Sequence, residues 1–302
     1  MTLIPLTELR SGRAERPRLP RWFTVDAKTG PDYLDIKQTL DRLNLHTICE
    51  EARCPNRWDC WNARTATFLI LGDVCTRRCL YCSVDTGRPA ALDQDEPRRV
   101  AEAVQALRLR HVVVTSVNRD ELADGGAAMF AETIRLTRER SPSSTIEVLI
   151  PDFQGNHAAI DLVCRDHPDV LNHNIETVPR LFPALRPQGK YRRSLEVLTR
   201  AKTHGLRTKS GLIVGMGESR DEIRGVLRDL RTTGCDVVTI GQYLQPTTRH
   251  VSVVRFYEPS EFAELKQEAV AMGFLHVEAS PTTRSSYHAA EHTVPSSAAA
   301  DD

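Results

Sequence analysis

The sequence predicts an α/β protein built as a partial six-fold β/α barrel, with an open doubly wound sheet as the runner-up. Three observations carry that expectation. Six strand-sized apolar runs recur along the chain: Phe68–Leu71, Val112–Thr115, Ile146–Ile150, Val170–Asn174, Leu212–Val214 and Val237–Ile240. Stretches with the apolar spacing of amphipathic helices separate them. The runs are apolar on both faces, which suits parallel strands covered by helices and joined by right-handed crossovers.

Taken in chain order, residues 1–66 read as an extension rather than a compact unit. Thr2–Leu6 is too short an apolar stretch for a signal peptide, and Arg10, Arg13 and Arg16 follow at once. Pro17 and Pro20 hold Arg16–Arg21 extended. Leu34, Ile36, Leu40, Leu43 and Leu45 then mark a helix, and this arm is expected to pack over the rest. The barrel itself is expected over residues 67–280. Its helices fall near Arg98–Leu107, Ala127–Arg138, Ala158–Cys164, Ser194–His204 and Glu222–Arg231, with a last one over Ser260–Met272. Residues 281–302 form a C-terminal segment whose tail, from Thr293, reads as disordered.

The 302 residues carry 40 basic and 40 acidic side chains, 40% of them are hydrophobic, and they suffice for one large domain or two ordinary ones. With 16 glycines and 17 prolines the chain is neither collagen-like nor disordered. Zero formal charge gives no global attraction to nucleic acid or anionic lipid. No apolar run approaches the ~18 residues of a membrane span. A cytoplasmic location is expected, so the 8 cysteines are read as reduced rather than paired.

Six of those cysteines fall within 34 residues. Cys75, Cys79 and Cys82 have the spacing C-x3-C-x2-C just after the first strand. Three thiolates on one short loop can hold three corners of a cubic iron–sulfur cluster and leave the fourth iron open to a ligand. A zinc loop or buried free thiols are the bland alternatives, although structural zinc more often shows two C-x2-C pairs. Cys49, Cys54 and Cys60 form a second trio, C-x4-C-x5-C, for which zinc with His46 as fourth ligand is the rival of a second cluster. Cys164 and Cys235 stand alone and read as buried free thiols. His111, His157, His173, His204 and His250 have no metal-ligand spacing.

The Cys75–Cys82 motif resembles that of the radical S-adenosylmethionine (SAM) enzymes. In that superfamily the open iron chelates the amino and carboxylate groups of SAM, and electron transfer releases a 5′-deoxyadenosyl radical. A partial, TIM-like barrel with the cluster after its first strand is also the superfamily pattern. Tyr81 is then expected to pack against the adenine side. Six further segments narrow the resemblance to the lipoyl synthase family: Cys49–Cys60, Thr115-Ser-Val-Asn-Arg-Asp120, Pro151–Gly155, Asn172–Glu176, Gly241–Pro246 and Arg284-Ser-Ser-Tyr287. Together with Phe68–Cys79 they run in order from about Leu45 to Tyr287.

That resemblance implies two 4Fe–4S clusters, with N- and C-terminal extensions closing the open barrel mouth. The second trio would hold an auxiliary cluster whose fourth ligand is a serine, Ser286, with Ser285 as fallback. A hard alkoxide is a weak partner for such a cluster, which makes sense where that iron must be lost in turnover. The implied reaction inserts two sulfur atoms at carbons 6 and 8 of an octanoyl chain on a lysine of a lipoyl-accepting protein, the auxiliary cluster being the sulfur donor. Those C–H bonds are unactivated, so acid–base catalysis has no purchase and a cofactor-derived radical is required. Partners implied are an octanoylated lipoyl domain or glycine cleavage H protein, a reductant such as ferredoxin or flavodoxin, and an iron–sulfur cluster carrier. Nucleic acid and membrane are not among them.

Barrel sites collect at the C-terminal ends of strands. Cys75, Thr115, Ser116, Asp152, Asn174, Glu176, Gly215–Gly217 and Gln242–Gln245 should therefore share one mouth. Thr115, Ser116, Asn174 and Glu176 are the expected SAM contacts beside Tyr81, and Gly215–Gly217 is expected to let backbone approach the ligand or to be a turn. Nine cations between Arg180 and Lys209 face one carboxylate, Glu196, and are read either as a solvated helix face or as a docking face for an acidic lipoyl domain. Their scarcity of interleaved aromatics argues against nucleic acid. Two departures from the family pattern stand out: Asn118 where an acid is expected, and the polar Ser280–Thr283 before Arg284. Another radical sulfur-inserting or methylthio-transferring enzyme, or an inert electron carrier, are the rival functions.

Overall fold

An eight-stranded sheet, its strands numbered along the chain, runs in the order β1 (His46–Thr47), β2 (Ala66–Ile70), β5 (His111–Ser116), β6 (Thr145–Leu149), β7 (Val170–Asn172), β8 (Arg207–Val214), β9 (Val237–Gln242) and β10 (His276–Ser280). It is seen in a computed structural model that describes residues 18–24 and 27–293. Arg10, Arg13, Arg16 and the tail beyond Thr293 lie outside the described residues. β1 pairs antiparallel with β2, and all other neighbours in this sheet are parallel. The order never reverses from β2 to β10, so the doubly wound alternative falls and the partial barrel stands. β3 (Val74–Cys75) and β4 (Asp85–Thr86) form a small pair of their own.

Six β/α units are present. The helices α4 (Glu96–Leu107), α5 (Ala127–Arg140), α6 (His157–Arg165), α8 (Tyr191–Thr203), α9 (Arg220–Thr232) and α10 (Pro259–Ala271) follow β2 and β5 to β9 in turn, with a short α7 (Phe182–Leu185) ahead of α8. Local sequence explains their ends. Pro97 sits in the first turn of α4, and Arg108 closes it in a left-handed conformation, φ 50°. Ser219 and Glu222 make a reciprocal capping box on α9. Before the barrel, α1 (Pro31–Arg42), α2 (Ile48–Glu51) and α3 (Arg57–Asn62) pack Ile36, Leu40, Cys49 and Trp61 into the core beneath β2, β5 and β6. A second core cluster lies between β8–β10 and α9–α10.

The strands depart from expectation most at β8 and β10. β8 begins at Arg207, five residues before the apolar run at Leu212, and β10 is a seventh parallel strand that periodicity missed altogether. Both hide behind polar residues. Thr208, Lys209 and Ser210 of β8 are fully buried. Lys209 Nζ donates to both carboxylate oxygens of Glu147 on β6 at 2.9 and 3.0 Å, and Asn172 Nδ2 of β7 reaches the same carboxylate at 3.0 Å. β10 is only partly covered, so its alternation is weak. β7 also stops at Asn172, two residues short of expectation, and Glu176 then takes φ 68° to bridge Leu212.

A buried ion pair is costly to break from one side, because the survivor keeps its charge without its partner. Lys209→Met is expected to lose about 3–5 kcal/mol of stability in urea unfolding. The double variant Lys209→Met/Glu147→Gln should recover most of that loss.

Candidate active site

The site begins with a strained turn. After β2 the chain passes through two successive left-handed residues, Leu71 at φ 72° and Gly72 at φ 91°. For a leucine this conformation is costly and must be held from outside. Glu96 accepts from Leu71 N at 2.7 Å, and Arg119 donates to Leu71 O at 2.9 Å. Gly126 lies beneath the Leu71 side chain, where a Cβ would come within 2.3 Å of it. The turn throws Val74–Cys82 across the barrel mouth.

That loop is clamped by Arg77. Its guanidinium is 3% exposed and donates to Asp120 at 2.7 and 2.9 Å and to Asp152 at 2.5 Å. Burial works against the Asp152 carboxylate, but the Arg77 bond and charge prevail and hold it down at about 2. Thr76 donates from N and Oγ1 to Asn118 O, and Asp120 N returns a bond to Thr76. Further along, Leu80 N reaches Leu185 O, and the ring of His250 meets Cys82 O at 2.8 Å.

Cys75, Cys79 and Cys82 line a cavity of about 150 Å³ with Tyr81, Thr115, Ser116, Asn174, Glu176 and Arg186. Strand register explains the alignment: Thr115 sits beside Leu69 and Leu149, and its hydroxyl donates to Leu149 O at 3.0 Å. Burial raises the Glu176 carboxyl, with the Arg186 charge opposing. Burial likewise pushes up the Cys79 thiol and takes Cys82 up to about 12, the neighbouring thiols adding to it at both. Four buried polar atoms here lack a protein partner, Ser116 Oγ, Asn118 Oδ1, Asn174 Oδ1 and Arg186 Nε. A pocket ringed by orphaned donors and acceptors fits a polar, zwitterionic ligand such as SAM.

A larger cavity of about 520 Å³ adjoins it and shares Tyr81, Cys82, Thr115, Asn174 and Glu176 in its wall. Cys49, Cys54, Cys60, Arg284, Ser285 and Ser286 line its far side. Asn56 in the trio loop donates to Thr282 O at 2.7 Å and ties that loop to the serine segment. Gly241 makes room for this contact, since a Cβ there would lie 2.0 Å from Thr283 O. Burial raises the Cys49 thiol to about 11, and it raises Cys60 further with help from Cys49 and Cys54. All 8 cysteines are free. Among the described residues no three His, Cys, Asp or Glu side chains converge on a single-ion site. Two trios of thiols spread around adjoining cavities fit multi-iron clusters better than a single zinc ion. His46 lies in β1 and turns to Glu51 at 3.6 Å, away from this wall.

Other expectations fare differently. Gly215–Gly217 is a turn: Gly215 N and Met216 N bond the Glu218 carboxylate, and neither cavity touches it. The basic run is not a free docking face. Arg180, Arg193, Arg200, Lys202 and Lys209 all pair with carboxylates, and only Lys190 and Arg192 are exposed. Arg186 points into the smaller cavity instead, 5.0 Å above the Phe182 ring. Asn118, where an acid is expected, turns its N and Nδ2 to the Cys75 sulfur at 3.3 and 3.8 Å. Cys164 and Cys235 are buried. Sequence reasoning missed Arg77, Arg186 and Gly241 as site residues, although Arg77 and Gly241 lie within the segments that carried the resemblance; Arg186 was counted with the basic run.

Comparison with known proteins agrees with this geometry. A family model described as the radical SAM superfamily matches residues 69–230, and one for the N-terminal domain of lipoyl synthase matches residues 6–54. The lipoyl synthase of Rubrobacter xylanophilus is 57% identical over 291 residues, covering 95% of this chain and 91% of that one. The lipoyl synthase of Mycolicibacterium smegmatis is 51% identical over 295 residues, covering 96% and 94%. Among solved structures, methylornithine synthase superposes with a TM-score of 0.55 at 16% identity, covering 81% of this chain and 74% of its own. Coproporphyrinogen III oxidase from Escherichia coli, a radical SAM enzyme, gives 0.50 at 13% identity, covering 69% and 52%. These two show the shared fold alone.

Two expectations follow from the packing. Gly241→Ala should push the Thr283 carbonyl off β9, raising amide exchange over residues 280–288 roughly tenfold while the Cys75–Cys82 loop stays protected. His173 is buried between Ile150 O and Ser194 Oγ, and burial lowers it to about 4. The unfolded chain takes that proton first, near pH ~6.5, so the stabilisation is complete above that pH and lost as pH falls toward about 4. Urea midpoints across this window should fall for the natural protein and less steeply for His173→Asn.

Proposed function

The chain belongs to the lipoyl synthase family of radical SAM enzymes, and on that premise we propose how its residues divide the work. Its activity is radical SAM-dependent insertion of two sulfur atoms into a protein-bound octanoyl chain to form the lipoyl cofactor. We assign Cys75, Cys79 and Cys82 to the SAM-binding cluster. Cys49, Cys54, Cys60 and Ser286 hold the auxiliary one, with Ser285 as the alternative ligand. When bound, the two clusters and SAM supply one-electron reduction, hydrogen-atom abstraction and sulfur. The observation that carries this reading is the cavity of about 520 Å³ whose wall joins Cys82 to Cys49, Cys54, Cys60 and Ser286.

The chain's own groups do the rest. Arg186, a buried cation beside Glu176 and Tyr81, answers the carboxylate of SAM. Glu176, Asn174, Thr115 and Ser116 face its amine and ribose hydroxyls, and Tyr81 flanks the adenine. Ile48, Leu149, Leu212, Ile213 and Leu244 give the larger cavity an apolar wall, which suits an alkyl chain and excludes water from a reactive radical. Residues 1–66 serve as the auxiliary-cluster extension, 67–280 as the barrel and 281–302 as the segment that brings the serine. The enzyme acts on a lipoyl-accepting protein and needs a reductant. We place it in the cytoplasm, with an octanoylated lipoyl domain or H protein as substrate, ferredoxin or flavodoxin as electron donor, and a cluster carrier for repair. Among the described residues no helix is long and apolar enough to cross a membrane.

Anaerobically reconstituted protein given an octanoyl-lysine peptide tests the assignment. Release of 5′-deoxyadenosine should depend on the peptide. Cys79→Ala should abolish SAM cleavage, whereas Cys54→Ala should keep some cleavage and insert no sulfur. Ser286→Ala should assemble both clusters yet fail in sulfur transfer. Equal loss of cleavage in the two cysteine variants would overturn the division, and normal product from Ser286→Ala would move the ligand to Ser285.

A further inference from the structure

Three donors converge on the sulfur of Cys75. Two are backbone amides, Arg77 N at 3.4 Å and Asn118 N at 3.3 Å, and any residues at those positions would supply them. The third, Asn118 Nδ2 at 3.8 Å, exists only because residue 118 is an asparagine. Its orientation is fixed by its surroundings. Asn118 O is taken up by Thr76 N and Thr76 Oγ1, which locks the backbone of residue 118 against the loop. Asn118 Oδ1 has no protein partner, so the amide is aimed by its nitrogen at the sulfur, and the reverse placement would set a carbonyl oxygen against an electron-rich thiolate.

Hydrogen bonds to cluster sulfurs are one of the levers that set reduction potential. A cluster that gains an electron places more negative charge on its sulfurs, and a donor aimed at one of them stabilises that reduced form more than the oxidised form. We infer that Asn118 is a positioning residue whose side-chain amide raises the reduction potential of the cluster held by Cys75, Cys79 and Cys82. This rests on the assignment of that trio made above. An aspartate at the same place would act in the opposite sense twice: an ionised carboxylate cannot donate, and it adds a negative charge beside the sulfur. Alanine would remove the donor alone and leave both backbone amides.

The test is an EPR-monitored redox titration of the full-length reconstituted protein, following the signal that SAM perturbs, with no lipoyl substrate present. Asn118→Ala should shift the midpoint to more negative potential, and Asn118→Asp should shift it further. Iron content and thermal unfolding are recorded for each variant, and if Asn118→Asp does not load, Asn118→Ala alone decides. A loaded Asn118→Ala protein with an unmoved midpoint overturns the inference, as does a shift seen only with aspartate, which would be a charge effect without the donor. Cys75→Ala separates this from the underlying assignment: if the SAM-perturbed signal survives without Cys75, it is the trio assignment that fails.

Discussion

The site depends on one buried cation. Arg77 sits in the middle of the loop that carries the first cysteine trio, and a guanidinium so deeply covered costs several kcal/mol unless its donors are met. Asp120, from the segment after β5, and Asp152, from the segment after β6, meet them. The loop therefore cannot shift without stranding a charge. A flexible C-x3-C stretch becomes a fixed part of the barrel rim, and Tyr81, Cys82, Thr115 and Glu176 can face one another across a defined space. Arg193 reaches the second oxygen of Asp152 at 3.3 Å and extends the same anchorage to α8.

Closure from the other side relies on contacts remote in sequence. Asn56 and Thr282 are 226 residues apart, and their bond forms only when the N-terminal extension and the C-terminal segment both rest on the barrel. The serine segment hangs between two fixed points. On one side the missing Cβ of Gly241 admits the Thr283 carbonyl. On the other, Ala289 is buried and Arg207 donates to His292 O at 3.0 Å, beside the His276 ring. Arg207 at the start of β8 and His276 at the start of β10, both polar, are thus among the residues on which the C-terminal segment is seated.

What was legible in the sequence follows from this. Both cysteine trios, Tyr81, Thr115, Ser116, Asn174, Glu176 and the serine pair could be picked out because spacing and motif are local properties, and all of them line the two cavities. Six apolar strand cores were legible for the same reason. The start of β8 was not, because Lys209 looks solvent-facing until Glu147 is brought beside it from 62 residues away. The basic run misled in the same way. A count of charges along the chain carries no record of partners, and Asp152, Asp161, Glu222 and Asp236 are distant in sequence. Arg186 was counted with that run although its charge belongs to the cavity.

The shared wall between the cavities sets how substitutions will separate. A hydrogen-abstracting centre must approach its carbon closely, and a sulfur source must reach the same carbon afterwards, so the reacting chain has to lie where both cavities open to each other. Tyr81, Cys82, Thr115, Asn174 and Glu176 border that place from both sides. On the proposed assignment, changes at these residues act on two steps at once and cannot be told apart by a loss of product alone. Residues held to one side are cleaner probes. Arg77 lines the smaller cavity and not the larger and bonds its two aspartates, whereas Asn56 lines the larger and not the smaller and bonds the serine segment. These two anchors, one on the barrel rim and one between the extensions, are physically separate, and on the proposed assignment that lets two adjoining cavities carry two chemically different jobs.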